Sequence, residues 1–363
     1  MSILIFLGVL FLLVLVHEWG HYITAKLTGM RVDEFGIGFP PKLFGIKKGE
    51  TEYTINALPI GGFVKIYGED AEASVGGGDY ARSFTGKSKW AQALVLIAGV
   101  SMNIIFAWLL FSSAFMWGIE KAVDEGEASA DARLIVTDIL PDGPASDATL
   151  PRGVFVTAVS RSGESLESLT PSAFSEFVSR DSVTPVQIAY TKGDEFFIAS
   201  IVPEAGVIKD EPTRPAIGVA LTLVDRVSYP FVSAVQKGFL HTIESTKLTA
   251  IGIITLIKDA FIGQADFSQV AGPVGIVGLV GEASAFGFSA LLMFTAFISI
   301  NLAVINLLPF PALDGGRLLF VGIEAITRRP MPVKATQVMN TVGFFLLIGL
   351  MIVVTWNDIA KLI

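Results

Sequence analysis

Three stretches of this chain, Ala91 to Ile119, Ala283 to Leu313 and Ala335 to Asn357, contain no Asp, Glu, Lys or Arg over 29, 31 and 23 residues. Each exceeds the roughly 20 residues that a helix needs to cross a bilayer core about 30 Å thick. The composition agrees: of 363 residues 52% are hydrophobic and only 17% charged, against about 25% charged in soluble domains. The excess apolar surface has to be buried in lipid.

A fourth run, Ile3 to Val16, is shorter, and His17 interrupts it. Fourteen apolar residues would suit a signal-peptide core. Against that, "MSILIF" carries no Lys or Arg, no small-x-small cleavage site follows, and apolar character resumes at Tyr22, Ile23 and Ala25. The expected object is a spanning helix from Ser2 to about Leu27 with polar residues built into it.

Lys26, Arg31, Lys42, Lys47 and Lys48 follow this first helix, Lys87 and Lys89 precede the second, and Arg317, Arg328, Arg329 and Lys334 lie between the third and fourth. An excess of Lys and Arg marks cytoplasmic loops, so both chain ends and the region between helices two and three are expected on the other side. That region, Glu120 to Arg226, holds 18 acidic and 9 basic residues, while the whole chain sums to −8. A separate outward-facing domain follows. The acidic balance gives no reason to expect a nucleic-acid partner.

Within it, "RLIVTDILPDGPASDATL" and "GVFVTAVSRSGESL" predict short strands. "TPSAFSEFVSRD" predicts a helix opened by Thr170 with Pro171 in its first position, and "PVQIAYTKGDEFFIASIVP" a strand pair joined through Lys192 to Asp194. The order resembles a circularly permuted PDZ domain, with "ILPDGPASDATL" in place of the V-x-P-x-S-P-A-x-x-A-G-L pattern. Gly153 and Val154 stand where Gly-Asp is usual. A peptide ligand for this domain is an expectation from that resemblance, and a generic β-rich outer domain is the plainer alternative.

The interruption in the first helix is His17-Glu18-Trp19-Gly20-His21. On a helix, H-E-x-x-H puts both imidazoles on one face, where they can take two corners of a zinc tetrahedron, with the Glu beside them as a base. A buried, hydrogen-bonded histidine pair is the bland alternative, weakened because titratable groups within a membrane helix are costly and usually functional. Zinc needs a third protein ligand. There is no Cys and His241 is the one other histidine, which leaves a carboxylate, and Asp314 is the best placed. It follows Pro309 and Pro311, which break the third apolar run, and precedes Gly315 and Gly316. Irregular backbone at membrane depth is tolerated where it lines a cavity. The alternative for Asp314 is the N-cap of the helix that follows, and Asn301 and Asn306 could be hydrogen-bond glue between helices or serve substrate-backbone contact or transition-state stabilisation near the metal.

H-E-x-x-H in the first membrane helix and N-x-x-P-x-P-x-L-D-G from Asn306 to Gly315 resemble the site-2 protease family of intramembrane zinc metalloproteases, most closely the bacterial regulator-of-sigma-E proteases. "TEYTINALPIGGFVKIYGED" is similar to the family's membrane-reentrant β-hairpin, "AGVSMNIIFAW" around Asn103 to its second-helix A-G-x-x-x-N motif, and "SQVAGPVGIVGL" to the stretch before its third helix. The resemblance implies one Zn2+ held by His17, His21 and Asp314, with Glu18 as general base and acid. It implies Gly61, Gly62 and Phe63 on an edge strand that pairs with an unwound substrate. Asn103, Pro309, Pro311 and Gly315 would shape the site.

The expected architecture is a polytopic α-helical membrane protein with about four transmembrane helices, a membrane-associated β-hairpin region and one inserted extracytoplasmic PDZ-like α+β domain, where some members have two. Residues 1–119 form an N-terminal membrane part (helices at about 2–27 and 91–119, β region at about 35–70), and 120–226 the PDZ-like domain. Residues 227–282 form an amphipathic surface segment, with 229–261 lying on the outer membrane surface, and 283–363 a C-terminal membrane part (helices at about 283–309 and 335–357). The implied setting is the bacterial cytoplasmic membrane with the active site toward the cytoplasm, and the implied partners are the lipid bilayer and single-pass membrane substrates such as an anti-sigma factor or a remnant signal peptide. A metal or proton transporter would want paired repeats, and no motif here recurs. A non-catalytic membrane adaptor would have no use for Glu18.

Overall fold

The computed structural model describes residues 1–69, 79–193, 195–264 and 270–361. Asp70, Asp194, Ser268 and Gln269 of the stretches quoted above therefore lie outside the described residues. The chain divides into two compact units, one formed by Met1–Ala114 with Phe231–Ile363 and the other by Phe115–Pro230.

The first unit opens with helix α1, Ser2–Leu27, which keeps its helical path straight through His17 and His21. Strands β1, Val32–Lys48, and β2, Thr51–Ile66, follow. Their pairing is more than a hairpin. Residues 34–37 of β1 lie opposite residues 52–55 of β2 and also opposite its residues 62–65, while Lys42–Lys48 pair with Thr51–Asn56. Register shifts, with Gly38 at φ 79°, bend the long strands back on themselves into a curled sheet. The last stretch of β2, Gly62–Ile66, pairs with β1 along one edge. At the hairpin tip, Glu50 accepts from Lys26 of α1 at 2.8 Å and from Arg82 at 2.6 Å, and these two cations hold its carboxyl below the usual range. Helix α2, Lys89–Trp117, then runs beside α1. A Cβ on Gly20 would meet Ala98 O at 2.5 Å, so the glycine inside HEWGH is what lets the two backbones approach.

The second unit is β-rich. Strands β3 (Ile119–Val123), β4 (Arg133–Ile139), β5 (Phe155–Arg161) and β6 (Glu164–Ser165) precede β7 (Val186–Lys192), β8 (Glu195–Ile201) and β9 (Val219–Val227). They form one sheet in the order β3-β9-β4-β5-β7-β8, with β6 on β5. One short turn of helix, α3, spans Pro144–Asp147, and α4 spans Pro171–Ser179. As the sequence predicts, Thr170 caps α4 by accepting from Ala173 N–H at 3.3 Å, and Pro171 is at its start. Phe174, Phe177 and Val178 of α4 pack on Leu134, Val156, Ile188 and Ile201 of the sheet. Strands β3 and β9 were not expected from the sequence. They pair with each other from Ile119↔Val227 to Val123↔Leu223, and β9 closes onto β4.

The chain then returns to the first unit with α5 (Phe231–Phe261), α6 (Pro273–Ala285), α7 (Phe288–Leu307), α8 (Asp314–Thr327) and α9 (Val333–Ala360). Four described helices, α1, α2, α7 and α9, are long and apolar enough to cross a membrane. The segment 227–282, expected as one amphipathic stretch, holds two helices of different character. In α5 a buried stripe of Ala234, Gly238 and Thr242 faces α2, where Trp108 Nε1 donates to Val235 O at 3.0 Å. The apolar α6 packs against α1, α7 and α9. Asp358 of α9, buried, accepts from Gly272 N–H at 3.1 Å and Gly275 N–H at 2.8 Å, which satisfies two of the free donors at the start of α6. That contact accounts for two glycines of "AGPVGIVGL", since a Cβ on Gly272 would meet Asp358 Oδ2 at 2.6 Å and one on Gly275 would meet Asp358 Oδ1 at 3.2 Å. Helix α7 starts later than the expected 283 because Gly287, at φ 107°, separates it from α6.

Candidate metal centre

His17 and His21 lie one turn apart on α1, buried to 6% and 8% exposure. Their Nε2 atoms are 3.1 Å apart, and Asp314 Oδ2 approaches them at 3.0 and 3.2 Å. The chain joins residues 297 positions apart to make this cluster, the one such group of three among the described residues.

The break before α8 delivers Asp314. Helix α7 ends at Leu307, and Leu308 through Leu313 turn back with Ala312 at φ 75°. The first turn of α8 then sits directly on the backbone it has just left. A Cβ on Gly315 would meet Leu308 O at 2.2 Å and one on Gly316 would meet Phe310 O at 2.2 Å, closer than real Cβ atoms come. The two glycines are therefore steric requirements of the turn that aims the carboxylate. Asp314 is the first residue of α8, with Leu313 as the cap and no side-chain capping bond. The N-cap alternative is thereby set aside, because the carboxylate faces the imidazoles instead.

These residues fit a metal. His21 Nδ1–H donates to Val95 O at 2.8 Å, which leaves Nε2 with the lone pair a ligand needs. Gly99 of α2 provides the space, since a Cβ there would meet His21 Nε2 at 2.4 Å and His17 Cε1 at 2.8 Å. Two imidazoles and one carboxylate suit zinc and leave one coordination position open.

A cavity of about 430 Å³ adjoins the cluster, bounded by Glu18, Phe63 to Ile66, Glu69 and Arg317 as well as the three candidate ligands. Glu18 projects between the metal cluster and β2: the Val64 backbone lies against its carboxyl, and a Cβ on Gly62 would stand 3.8 Å from its Cγ. Gly61 takes φ 116°, a backbone conformation that favours glycine, and a Cβ on Gly62 would meet Gly36 O of β1 at 2.9 Å. The Phe63 ring packs over Gly36 and stacks on Phe39, with centroids 6.4 Å apart. The expected strand from Gly61 to Phe63 is thus beside the site.

Asn301 and Asn306 are not part of the cavity wall. The Asn301 amide donates to Phe297 O of its own helix at 2.9 Å. Pro309 and Pro311 shape the break, and Pro311 packs against Gly343 of α9. Arg317 and Glu69, which sequence reasoning passed over, form an ion pair between α8 and the turn after β2, at the cavity wall. Arg317 lies three residues after Asp314 and so shares its helix face, a signal that was available. Glu69 had none.

Residues 5–350 match the sequence profile described as peptidase family M50. A Clostridium perfringens protein, provisionally named a zinc metalloprotease, is 36% identical, with 96% of this chain and 95% of the relative covered. The Oceanobacillus iheyensis zinc metalloprotease RasP is 32% identical, covering 96% of each chain. The Bacillus subtilis regulator of sigma-W protease RasP is 29% identical, covering 99% of each.

Proposed function

Because the chain belongs to peptidase family M50 and is an intramembrane zinc metalloprotease, we propose that His17, His21 and Asp314 hold its zinc and that Glu18 is its general base and acid. The observation that carries this reading is the convergence of two imidazoles and one carboxylate within 3.0 to 3.2 Å, in a cavity whose wall includes Glu18 and the last stretch of β2.

The substrate is a single-pass membrane protein, cleaved within or near its transmembrane segment. A helical peptide bond is shielded by its own hydrogen bonding, so it has to be presented extended. Strand β2 supports that step, because Gly62–Ile66 pair with β1 on one side while Phe63 to Ile66 face the cavity on the other. An unwound substrate segment adds to this edge as a further strand. Zinc held by these three residues would lower the pKa of a bound water to about 7 and would polarise the scissile carbonyl. Glu18 takes the proton of the attacking water and delivers it to the leaving nitrogen. The relative named for regulation of sigma-W favours anti-sigma factors as one substrate class, with remnant signal peptides as another.

The setting is a bacterial cytoplasmic membrane crossed by α1, α2, α7 and α9, with the metal centre toward the cytoplasm, as the distribution of Lys and Arg supports. Helix α5 lies on the outer surface. The unit Phe115–Pro230 is a PDZ-like domain on that outer side. Peptide binding there is supported by a cavity of about 740 Å³ between α4, at Phe174 and Val178, and β9, at Val219 to Leu221, with Arg152, Lys209 and Arg214 at its wall. Strand β3 pairs with β9 only from Leu223 onward, so an apolar peptide can extend that edge.

Replacing Glu18 with Gln tests the assignment in the intact protein. Cleavage of a single-span substrate is expected to fall by about 10² to 10⁴-fold, the usual worth of a positioned acid–base, with zinc content unchanged. Undiminished cleavage would overturn the role of Glu18.

A further inference from the structure

Each metal-ligating histidine has a second ring nitrogen, and its partner decides which nitrogen is left for the metal. Helix α2 runs antiparallel to α1 at this level, and residues one and two turns apart on its inner face meet the two imidazoles in order. Val95 O accepts from His21 Nδ1 at 2.8 Å, Gly99 leaves room for both rings, and the Asn103 amide reaches His17 Nδ1 at 3.2 Å.

The partnership at Asn103 is incomplete in a telling way. Its side chain is fully buried, its Nδ2 faces His17 Nδ1, and its Oδ1 meets no hydrogen-bond donor among the described residues. With Nδ2 as donor, His17 Nδ1 accepts and Nε2 carries the proton that points at Asp314 Oδ2. That tautomer cannot offer Nε2 to zinc. The two ends of an amide are interchangeable in shape, and a half-turn brings Oδ1 to Nδ1 as an acceptor. The proton then sits on Nδ1 and Nε2 is released as a ligand. The Asn103 backbone is held for either orientation, since Ser299 Oγ of α7 donates to Asn103 O at 2.8 Å.

We propose that Asn103 is a positioning residue that selects the metal-binding tautomer of His17 by accepting its Nδ1–H. This inference rests on the zinc assignment proposed above and extends it to a side chain that touches neither metal nor substrate. It also says why an amide suits the site. Asn can serve His17 in both tautomers, Asp only in the metal-binding one, and Leu in neither.

The experiment measures zinc affinity of the full-length protein in detergent, by competition with a chelator, for the parent, Asn103→Leu, Asn103→Asp and His17→Ala. Asn103→Leu is expected to bind zinc 10 to 100-fold more weakly, the usual effect of losing such a partner, and its cobalt-substituted form to show a shifted visible spectrum. Asn103→Asp is expected to bind at least as tightly as the parent. Parent-like affinity in Asn103→Leu, or a fall of tenfold or more in Asn103→Asp, overturns the proposal, and the Asp variant decides alone if the Leu variant does not fold. Unchanged affinity in His17→Ala would instead sink the zinc assignment itself.

Discussion

The two halves of the metal centre are held in opposite ways. His17 and His21 stand on an unbroken 26-residue helix, where one turn of regular geometry sets their spacing. Asp314 is placed by a break: a helix ends, the chain doubles back through two prolines, and a new helix starts against the old one on two glycines that admit no side chain. One half is supplied by local periodicity, the other by close packing of backbone on backbone. The regular half tolerates change wherever its face is free. The irregular half has almost no spare space, so small substitutions there should act at a distance from the chemistry.

The largest expected effect falls on the ligands themselves. Asp314→Ala or His21→Ala should leave a two-ligand site, and both variants should lose zinc under conditions that keep the parent saturated, as read by metal analysis after dialysis. If only the histidine variant loses metal, Asp314 is not the third ligand. Next in size is Gly315→Ala. The added methyl would sit 2.2 Å from Leu308 O, so the first turn of α8 must shift, and a displacement near 1 Å at a catalytic group can cost about 100-fold. We expect about that loss in cleavage, whereas Gly322→Ala on the same helix, with nothing within 4 Å of its new methyl, should be parent-like. Equal activity of the two variants would mean that the break does not aim Asp314.

The regular half was legible in the sequence and the irregular half only partly. The helix through HEWGH and the three other apolar helices follow from length and charge alone, because hydrocarbon imposes them. Asp314 could be nominated, since Pro309, Pro311 and the glycine pair announce a break in an apolar run. The close contacts that make those glycines obligatory could not, because they depend on where α7 stops. The β region was visible as a hairpin, but its curl was not: residues 34–37 pairing on both sides is a matter of register, which bulges set locally and patterning does not reveal. Strands β3 and β9 were missed for a related reason. Each is paired with a segment about a hundred residues away, and the five residues of β3, Ile119 to Val123, carry two charges and little pattern. Gly99 and Glu69 show a third kind of illegibility, since the role of each is defined by a neighbour on a distant helix, the two histidines of α1 for Gly99 and Arg317 of α8 for Glu69.

A smaller effect probes the regular half. Gly20 and Gly8 both lie on α1, yet a Cβ on Gly20 would meet Ala98 O at 2.5 Å while one on Gly8 meets nothing within 4 Å. Gly20→Ala should force α1 and α2 apart and destabilise the protein by about 1 to 3 kcal/mol, the ordinary cost of overpacking, seen as a lower midpoint of thermal unfolding in detergent. It should also weaken zinc binding, because α2 carries the His21 partner Val95 O. Gly8→Ala should leave both quantities unchanged within error.

The smallest effect belongs to the second unit, and its value is that it should not reach the metal. Thr170→Ala removes the cap at which Thr170 Oγ1 accepts from Ala173 N–H and should cost about 1 kcal/mol of that unit's stability. Pro171 at the start of α4 has no amide hydrogen, so Ala173 N–H is one of few donors there that need an acceptor, and water can replace the hydroxyl at this half-buried end. Zinc affinity should stay at the parent value, because every candidate ligand and each histidine partner lies in the other unit. A fall in zinc affinity in Thr170→Ala would show that the two units are coupled, and that the division between a periodic half and a packed half omits a third support.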